Sequence, residues 1–238
     1  MTDTGAPLDV WAARLDDATD TDVDRYLATL DARELARVDR LRRDIDKRHY
    51  IVAHGILRAI LSRYVGADPA AVEFGCGTSG KPYLTRPVPP SLGARGLEFN
   101  MSDSGGMLLV GVTRGIAVGV DIERRREMPI MKFARRFFTE AEAAALEALP
   151  AESREESFFR TWTCKEAYVK GWGVGIPGNL DKFEVRVGHR QSGLVSCGFA
   201  DDSLARWSLV NVDAIPGFAA TVAIEKAGVD EVDVRWWG

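Results

Sequence analysis

The stretch Met107–Glu123, MLLVGVTRGIAVGVDIE, holds two β-rich apolar runs separated by a break at residues 114–118. Upstream of that break the chain carries helical patterning and short β runs, and downstream the same coarse order returns. Period-2 alternation in the second run places the Asp121 and Glu123 carboxylates on one face and turns Val120 and Ile122 into a core. The fold class is α+β, in two lobes of similar size, residues 1–115 and 116–238, each a small sheet packed by helices.

Moving outward from the break, Leu97–Asp103 (LEFNMSD) supplies the β run before it, and the Pro- and Gly-rich segment at residues 86–95 reads as a surface connection. GCGTSGKPYL, residues 75–84, reads as strand, glycine turn and strand. Further back, residues 31–63 carry apolar positions at spacings of three and four, the mark of an amphipathic helix that Gly66 closes. Arginines crowd this segment from Arg33 to Arg48, with acids interleaved. A solvated face laced with ion pairs and an anion-binding face both fit that pattern. On the other side of the break, MKFARRFF is helical, and Thr139 with Glu142 three residues later is a capping box opening the next helix. Residues 157–172 form a further helix, and the last third is short strands separated by turns.

Composition narrows the class. With 46% apolar and 28% charged residues among 238, the chain is too apolar for disorder and long enough to bury roughly 70 to 75% of its unfolded surface. Thirty-one basic against 35 acidic side chains give a net charge of −4, which argues against nucleic acid as the partner. Three cysteines without a CxxC pair point to a reducing, cytoplasmic setting, and no apolar run suggests a membrane span. Residues 75–82 nearly match a phosphate-binding loop, but Pro82 stands where the loop needs a hydroxyl and an N–H. His49, His54 and His189 lack metal-ligand spacing.

Three elements carry chemistry. The Asp121 and Glu123 carboxylates repel each other unless a cation sits between them, and hard oxygen donors suit Mg²⁺; solvent-facing acids on a strand are the plain alternative. In Phe158–Gly173, FFRTWTCKEAYVKGWG, helical spacing places Lys165 with Phe158, Trp162 and Val169, and Glu166 with Lys170 in the next sector. An i,i+4 pair accounts for Glu166 and Lys170, and a snorkelling stem for Lys165, but three ionisable groups beside an aromatic face also suit a bound polyanion and its metal. Lys81 on its turn, and Ser102 with Ser104 and the following glycines, can present donors to anionic oxygens.

GKPYL, FNMSDS, GVDIE, RRFFTEAE and FFRTWTCKEAYVKGWGVGI, in this order, resemble the 4′-phosphopantetheinyl transferases of the larger two-lobed class. That resemblance implies a pseudo-dimer with its active site in the cleft between lobes, and transfer of 4′-phosphopantetheine from coenzyme A to a serine of an apo acyl or peptidyl carrier protein. It further implies Mg²⁺ on Asp121, Glu123 and Glu166, catalysis by Glu166, Lys170 and Asp121, and coenzyme A contacts from Arg48, Lys81, Ser102, Asp103, Lys165 and Lys170. Asp103 replaces the usual histidine of the second motif, and Arg48 and His49 compete for the register of the first-helix base. Phe137, Phe138, Leu146 and Leu149, rimmed by Arg135 and Arg136, would receive the carrier, and a chain holding both sides of its site would act as a monomer. A coenzyme A-binding protein without transfer and a Mg²⁺-dependent phosphohydrolase are the competing readings.

Overall fold

Eleven strands and six helices, in the order β1 (Leu8–Arg14), α1 (Asp20–Leu27), α2 (Ala32–Arg40), α3 (Asp44–Val65), β2 (Glu73–Cys76), β3 (Pro82–Arg86), β4 (Leu97–Ser104), β5 (Met107–Arg114), β6 (Val118–Arg124), α4 (Ile130–Phe137), α5 (Glu140–Ala148), α6 (Ala151–Trp172), β7 (Glu184–Val185), β8 (Leu194–Ser196), β9 (Ser208–Asn211), β10 (Phe218–Ile224) and β11 (Val234–Trp236), make up the described part of a computed structural model. It describes residues 8–89, 96–175, 178–188, 193–199, 202–226 and 228–238. His189, Ile176, Ala200 and most of the expected connection at residues 86–95 lie outside the described residues.

The pattern of β5 explains the layering. It is buried on both faces, so it reads as a continuous apolar run rather than an alternating one. Leu108, Val110 and Val112 point to one side, against Val52, Ile56 and Ile60 of α3. Met107 and Leu109 point to the other, against Val118, Val120, Ile122 and Val222. Gly111 lets the layers meet: a Cβ there would stand 2.8 Å from Val120 Cγ1. One sheet has the order β11-β1-β5-β4 and the other β6-β10-β9. They pack face to face, with α3 outside the first and α6 outside the second, where Ala167 and Tyr168 meet Leu209 and Ala223. Each fully buried aliphatic side chain in these layers contributes roughly 1.5 to 3 kcal/mol.

Both long helices end as their sequences require, on left-handed glycines, Gly66 at φ 66° and Gly173 at φ 75°. The Thr139 capping box is formed. β2 and β3 pair as a hairpin, so no helix follows Lys81 and a phosphate-binding loop is absent there. The single amphipathic helix expected over residues 31–63 is two, because Leu41 and Arg43 are extended and Asp31 caps α2 separately. The final strand does not stay with the second half: β11 pairs in parallel with β1, and the Trp237 N–H donates to the Ala12 carbonyl.

Candidate active site

Strand β4 faces β6 through its polar side chains at alternate positions. Asn100 Oδ1 accepts from the Val120 N–H at 2.9 Å, Ser102 Oγ donates to Asp121 Oδ1 at 2.9 Å, and Ser104 Oγ donates to Glu123 Oε2 at 2.8 Å. Period 2 on one strand thus meets period 2 on the other. Val120 and Ile122 are buried in the core on the opposite face, as the alternation predicts.

Helix α6 reaches the same carboxylates because two glycines remove the obstacles between them. A Cβ on Gly119 would lie 2.0 Å from the Ala167 carbonyl and 2.3 Å from the Gly171 N, so backbone rests on backbone. At that separation Lys170 Nζ donates to Asp121 Oδ1 at 2.5 Å and to Ser102 Oγ at 3.0 Å, and lies 3.5 Å from Glu166 Oε2. Asp121, Glu123, Glu166, Lys170 and Ser102 are therefore one constellation.

Its electrostatics are strained. Burial, then the neighbouring Asp121 charge, pushes the Glu166 carboxyl up to about 7, against the pull of Lys170. Glu123 is raised by burial, with Asp121 adding to it and the Ser104 hydrogen bond opposing. Burial works against the Lys170 charge, yet Asp121 and Glu166 together hold its ammonium above the ordinary lysine range. Asp121 Oδ2 is buried without a hydrogen-bond partner.

Four sets of expected site residues have other partners in the structure. Lys165 does not face a phosphate: fully buried, it donates to both Glu142 oxygens at 2.7 Å and to the Phe183 carbonyl at 2.6 Å. Glu142 also caps α5 through the Thr139 N–H and accepts from the Val185 N–H, so this pair is a structural lock. Lys81 Nζ donates to the Val118 and Gly171 carbonyls, both at 3.1 Å, tying the start of β6 to the end of α6. Arg48 turns to Asp20 and the Ala18 carbonyl. Phe138 and Leu146 are core residues, which leaves Phe137 and Leu149 partly exposed and Arg135 and Arg136 exposed.

A cavity of about 630 Å³ opens beside Ser104, lined by Arg37, Arg43, His49, Tyr50, His54 and Asp103 among others. His49, rather than Arg48, is the side chain of that register that borders it. The Asp103 carboxyl is raised by loss of surrounding water, against the pull of His54 and His49. Asn100 and Tyr50 are contributors that the sequence reading does not single out; Asn100 carries a signal, its period-2 register with Ser102 and Ser104.

Among the described residues no group of three or more His, Cys, Asp or Glu side chains is arranged to hold a metal ion, and the cation touching Asp121 and Glu166 is the Lys170 ammonium. The expected three-carboxylate ligand set is thus not gathered as a shell. The donors nonetheless fit a hard cation, since Asp121 Oδ2 is orphaned and the Asp121 and Glu123 charges raise Glu166.

The 4′-phosphopantetheinyl transferase superfamily model matches residues 117–223, and a 4′-phosphopantetheinyl transferase N-terminal model matches residues 17–113. The 4′-phosphopantetheinyl transferase HetI of Nostoc sp. (strain PCC 7120) is 33% identical over 220 residues, spanning 92% of this chain and 88% of its own. The chain belongs to the 4′-phosphopantetheinyl transferase family. A 4′-phosphopantetheinyl transferase of Bacillus subtilis is 30% identical over 75% of each chain, and Sfp of Bacillus subtilis (strain 168) 26% identical over the same shares. This transferase has no helix among its described residues that is long and apolar enough to cross a membrane.

Proposed function

We propose that this transferase moves the 4′-phosphopantetheine arm of coenzyme A onto a serine hydroxyl of an apo acyl or peptidyl carrier protein, releasing 3′,5′-ADP. The observation that carries the site assignment is the constellation of Ser102, Asp121, Glu166 and Lys170, with an orphaned carboxylate oxygen among paired ones. Asp121, Glu123 and Glu166 would hold Mg²⁺, which when bound supplies positive charge to the pyrophosphate of coenzyme A.

In the transfer, the carrier serine Oγ forms a bond to the phosphorus that bears the pantetheine. The bond from that phosphorus to the bridging oxygen breaks, and the bridging oxygen leaves with 3′,5′-ADP. Glu166 accepts the serine proton. Lys170, fixed by Asp121 and Ser102, donates to the phosphoryl oxygens as charge builds on them. The cavity beside Ser104, with Arg37, Arg43 and His49 on its wall, receives the nucleotide end of coenzyme A.

We read the halves 1–115 and 116–238 as two lobes of a pseudo-dimer, with the site at their seam. In support, each half lays a 22-residue helix on a small sheet, and the site draws β4 from one half and β6 and α6 from the other. A monomer acting in the cytoplasm is the matching form. Phe137 and Leu149 with Arg135 and Arg136 would meet the carrier.

Mass spectrometry of an apo carrier incubated with the protein, coenzyme A and Mg²⁺ tests the reading. A gain of roughly 340 Da on the carrier is the expected result. Free 3′,5′-ADP without carrier modification would make the protein a phosphohydrolase, and neither product would make it a binder.

A further inference from the structure

A second cavity lies away from the constellation of Asp121 and Lys170, and the proposed transfer makes no use of it. It measures about 810 Å³, within the range of pockets that take small-molecule ligands. Its walls come from β1, α1, α3 and the last residues of the chain, with Trp11, Tyr26, Trp236 and Trp237 as the aromatic surface and Arg14, Arg25, Arg63 and Arg235 as the charged one.

The walls are fixed in place. Trp237 Nε1 donates to the Tyr26 hydroxyl and Trp11 Nε1 to the Tyr64 hydroxyl, both at 3.1 Å, and the two indoles meet edge to face at 6.0 Å. The indole N–H groups of Trp11 and Trp237 are thus satisfied within the protein, Trp11 is buried, and the ring that a ligand can reach is that of Trp236. The Arg63 guanidinium lies over the Trp237 ring at 4.2 Å and near that of Trp11 at 5.5 Å, and the Arg14 guanidinium lies 5.7 Å from the Trp236 ring. Stacking of this kind holds a guanidinium flat while its N–H edge stays free to donate.

Charge selects the ligand. Arg25 is paired with Asp22 at 2.9 Å and Arg235 with Asp9 at 2.7 Å. Arg14 and Arg63 pair with no carboxylate within 4.0 Å among the described residues, and Asp17 is the other acid on the wall. Trp236 keeps 46% of its surface exposed at the rim. Flat π surface next to two preset, uncompensated guanidinium forks matches a molecule that is itself flat and anionic.

We infer that the cavity framed by Arg14, Arg63, Trp11, Trp236 and Trp237 is a second binding site, for a planar aromatic acid, separate from the coenzyme A site.

The probe is 2-naphthoate, titrated into the full chain already saturated with coenzyme A and followed by tryptophan fluorescence and calorimetry. Saturable one-site binding is expected, with the neutral 2-naphthalenemethanol binding at least about tenfold more weakly, the scale of one lost charge-assisted hydrogen bond. Arg63→Gln and Arg14→Gln should each weaken 2-naphthoate about tenfold by the same scale. Trp236→Ala changes an exposed ring rather than a buried one and keeps the test open if an arginine variant fails to fold; it should weaken binding about fivefold. Absence of saturable binding in the coenzyme A-saturated chain, or affinity equal to that of the wild type in folded Arg63→Gln and Trp236→Ala, would each overturn the site. Carrier modification is read separately, so failure of the proposed transfer leaves this test intact.

Discussion

Lys165 and Lys170 stand five residues apart on α6, each against carboxylates, yet their surroundings do opposite things. Around Lys165 every donor has a place to go: two Glu142 oxygens and the Phe183 carbonyl surround an ammonium with no exposed surface. Around Lys170 the account does not close, since two carboxylates, Asp121 and Glu166, share one ammonium with Glu123 close by, and Asp121 Oδ2 has no hydrogen-bond partner. A saturated buried pair specifies the packing of α5, α6 and β7. An unsaturated one stores charge that a ligand can complete.

Substitutions at the two centres should separate these roles. Glu166→Gln removes the proposed proton acceptor from the open centre, and carrier modification should fall by about 100- to 10,000-fold while the thermal unfolding transition stays in place. Retention of full transfer by a folded variant would remove Glu166 from the reaction. Lys165→Met at the closed centre should do the reverse: it strands Glu142 and costs roughly 3 to 5 kcal/mol in denaturant unfolding, with transfer per folded molecule little changed. Adding Glu142→Gln neutralises the stranded carboxylate and should return part of that loss. If Lys165→Met instead lowers transfer without loss of stability, Lys165 belongs to the substrate site after all.

The same contrast explains what could be read in advance. Alternation in GVDIE is a local property of one strand, so the shared face of Asp121 and Glu123 and the burial of Val120 and Ile122 were legible, as were the glycine stops of α3 and α6 and the Thr139 cap. The partner of Lys165 was not, because helical periodicity reports the sector in which a side chain lies and not what packs on it from another element. Lys81 and Arg48 misled for the same reason, being held by carbonyls and by Asp20 from elsewhere in the chain. The break between α2 and α3 escaped notice because the apolar spacing continues across Leu41, where the backbone is extended. The return of β11 to β1 is a long-range pairing with no local trace.

A second closed centre, in the first half of the chain, makes the distinction testable by pH. Burial alone would raise the Glu34 carboxyl, but hydrogen bonds from His54, Arg58 and the Asp31 N–H outweigh it and bring it down to about 2. A depressed folded-state value stabilises the fold above the ordinary carboxylate range and is lost as pH falls from about 4.5 towards 2. The contribution is at most about 3 kcal/mol. Denaturant unfolding of the wild type should therefore weaken through that window, and Glu34→Gln, less stable at neutral pH, should lose less there. Parallel acid curves for the two proteins would show that Glu34 is not the group responsible.

The smallest expected effect belongs to the open side of the contrast, at Asp103. Its carboxylate borders the cavity proposed for the nucleotide end of coenzyme A, beside His49 and His54, so an acid stands where a phosphate would approach. Asp103→Asn removes the repulsion, and Asp103→His removes it and adds a donor. Calorimetric titration with coenzyme A should show tighter binding by about threefold for the first and up to about tenfold for the second. Both gains should shrink as salt rises, because charges in an open cavity are screened. The two variants divide the effect: equal gains mean that only the charge mattered, and a larger gain for histidine means that a new contact forms. Unchanged affinity at low salt in both would place the phosphates away from Asp103 and leave Arg37, Arg43 and His49 as the wall they meet.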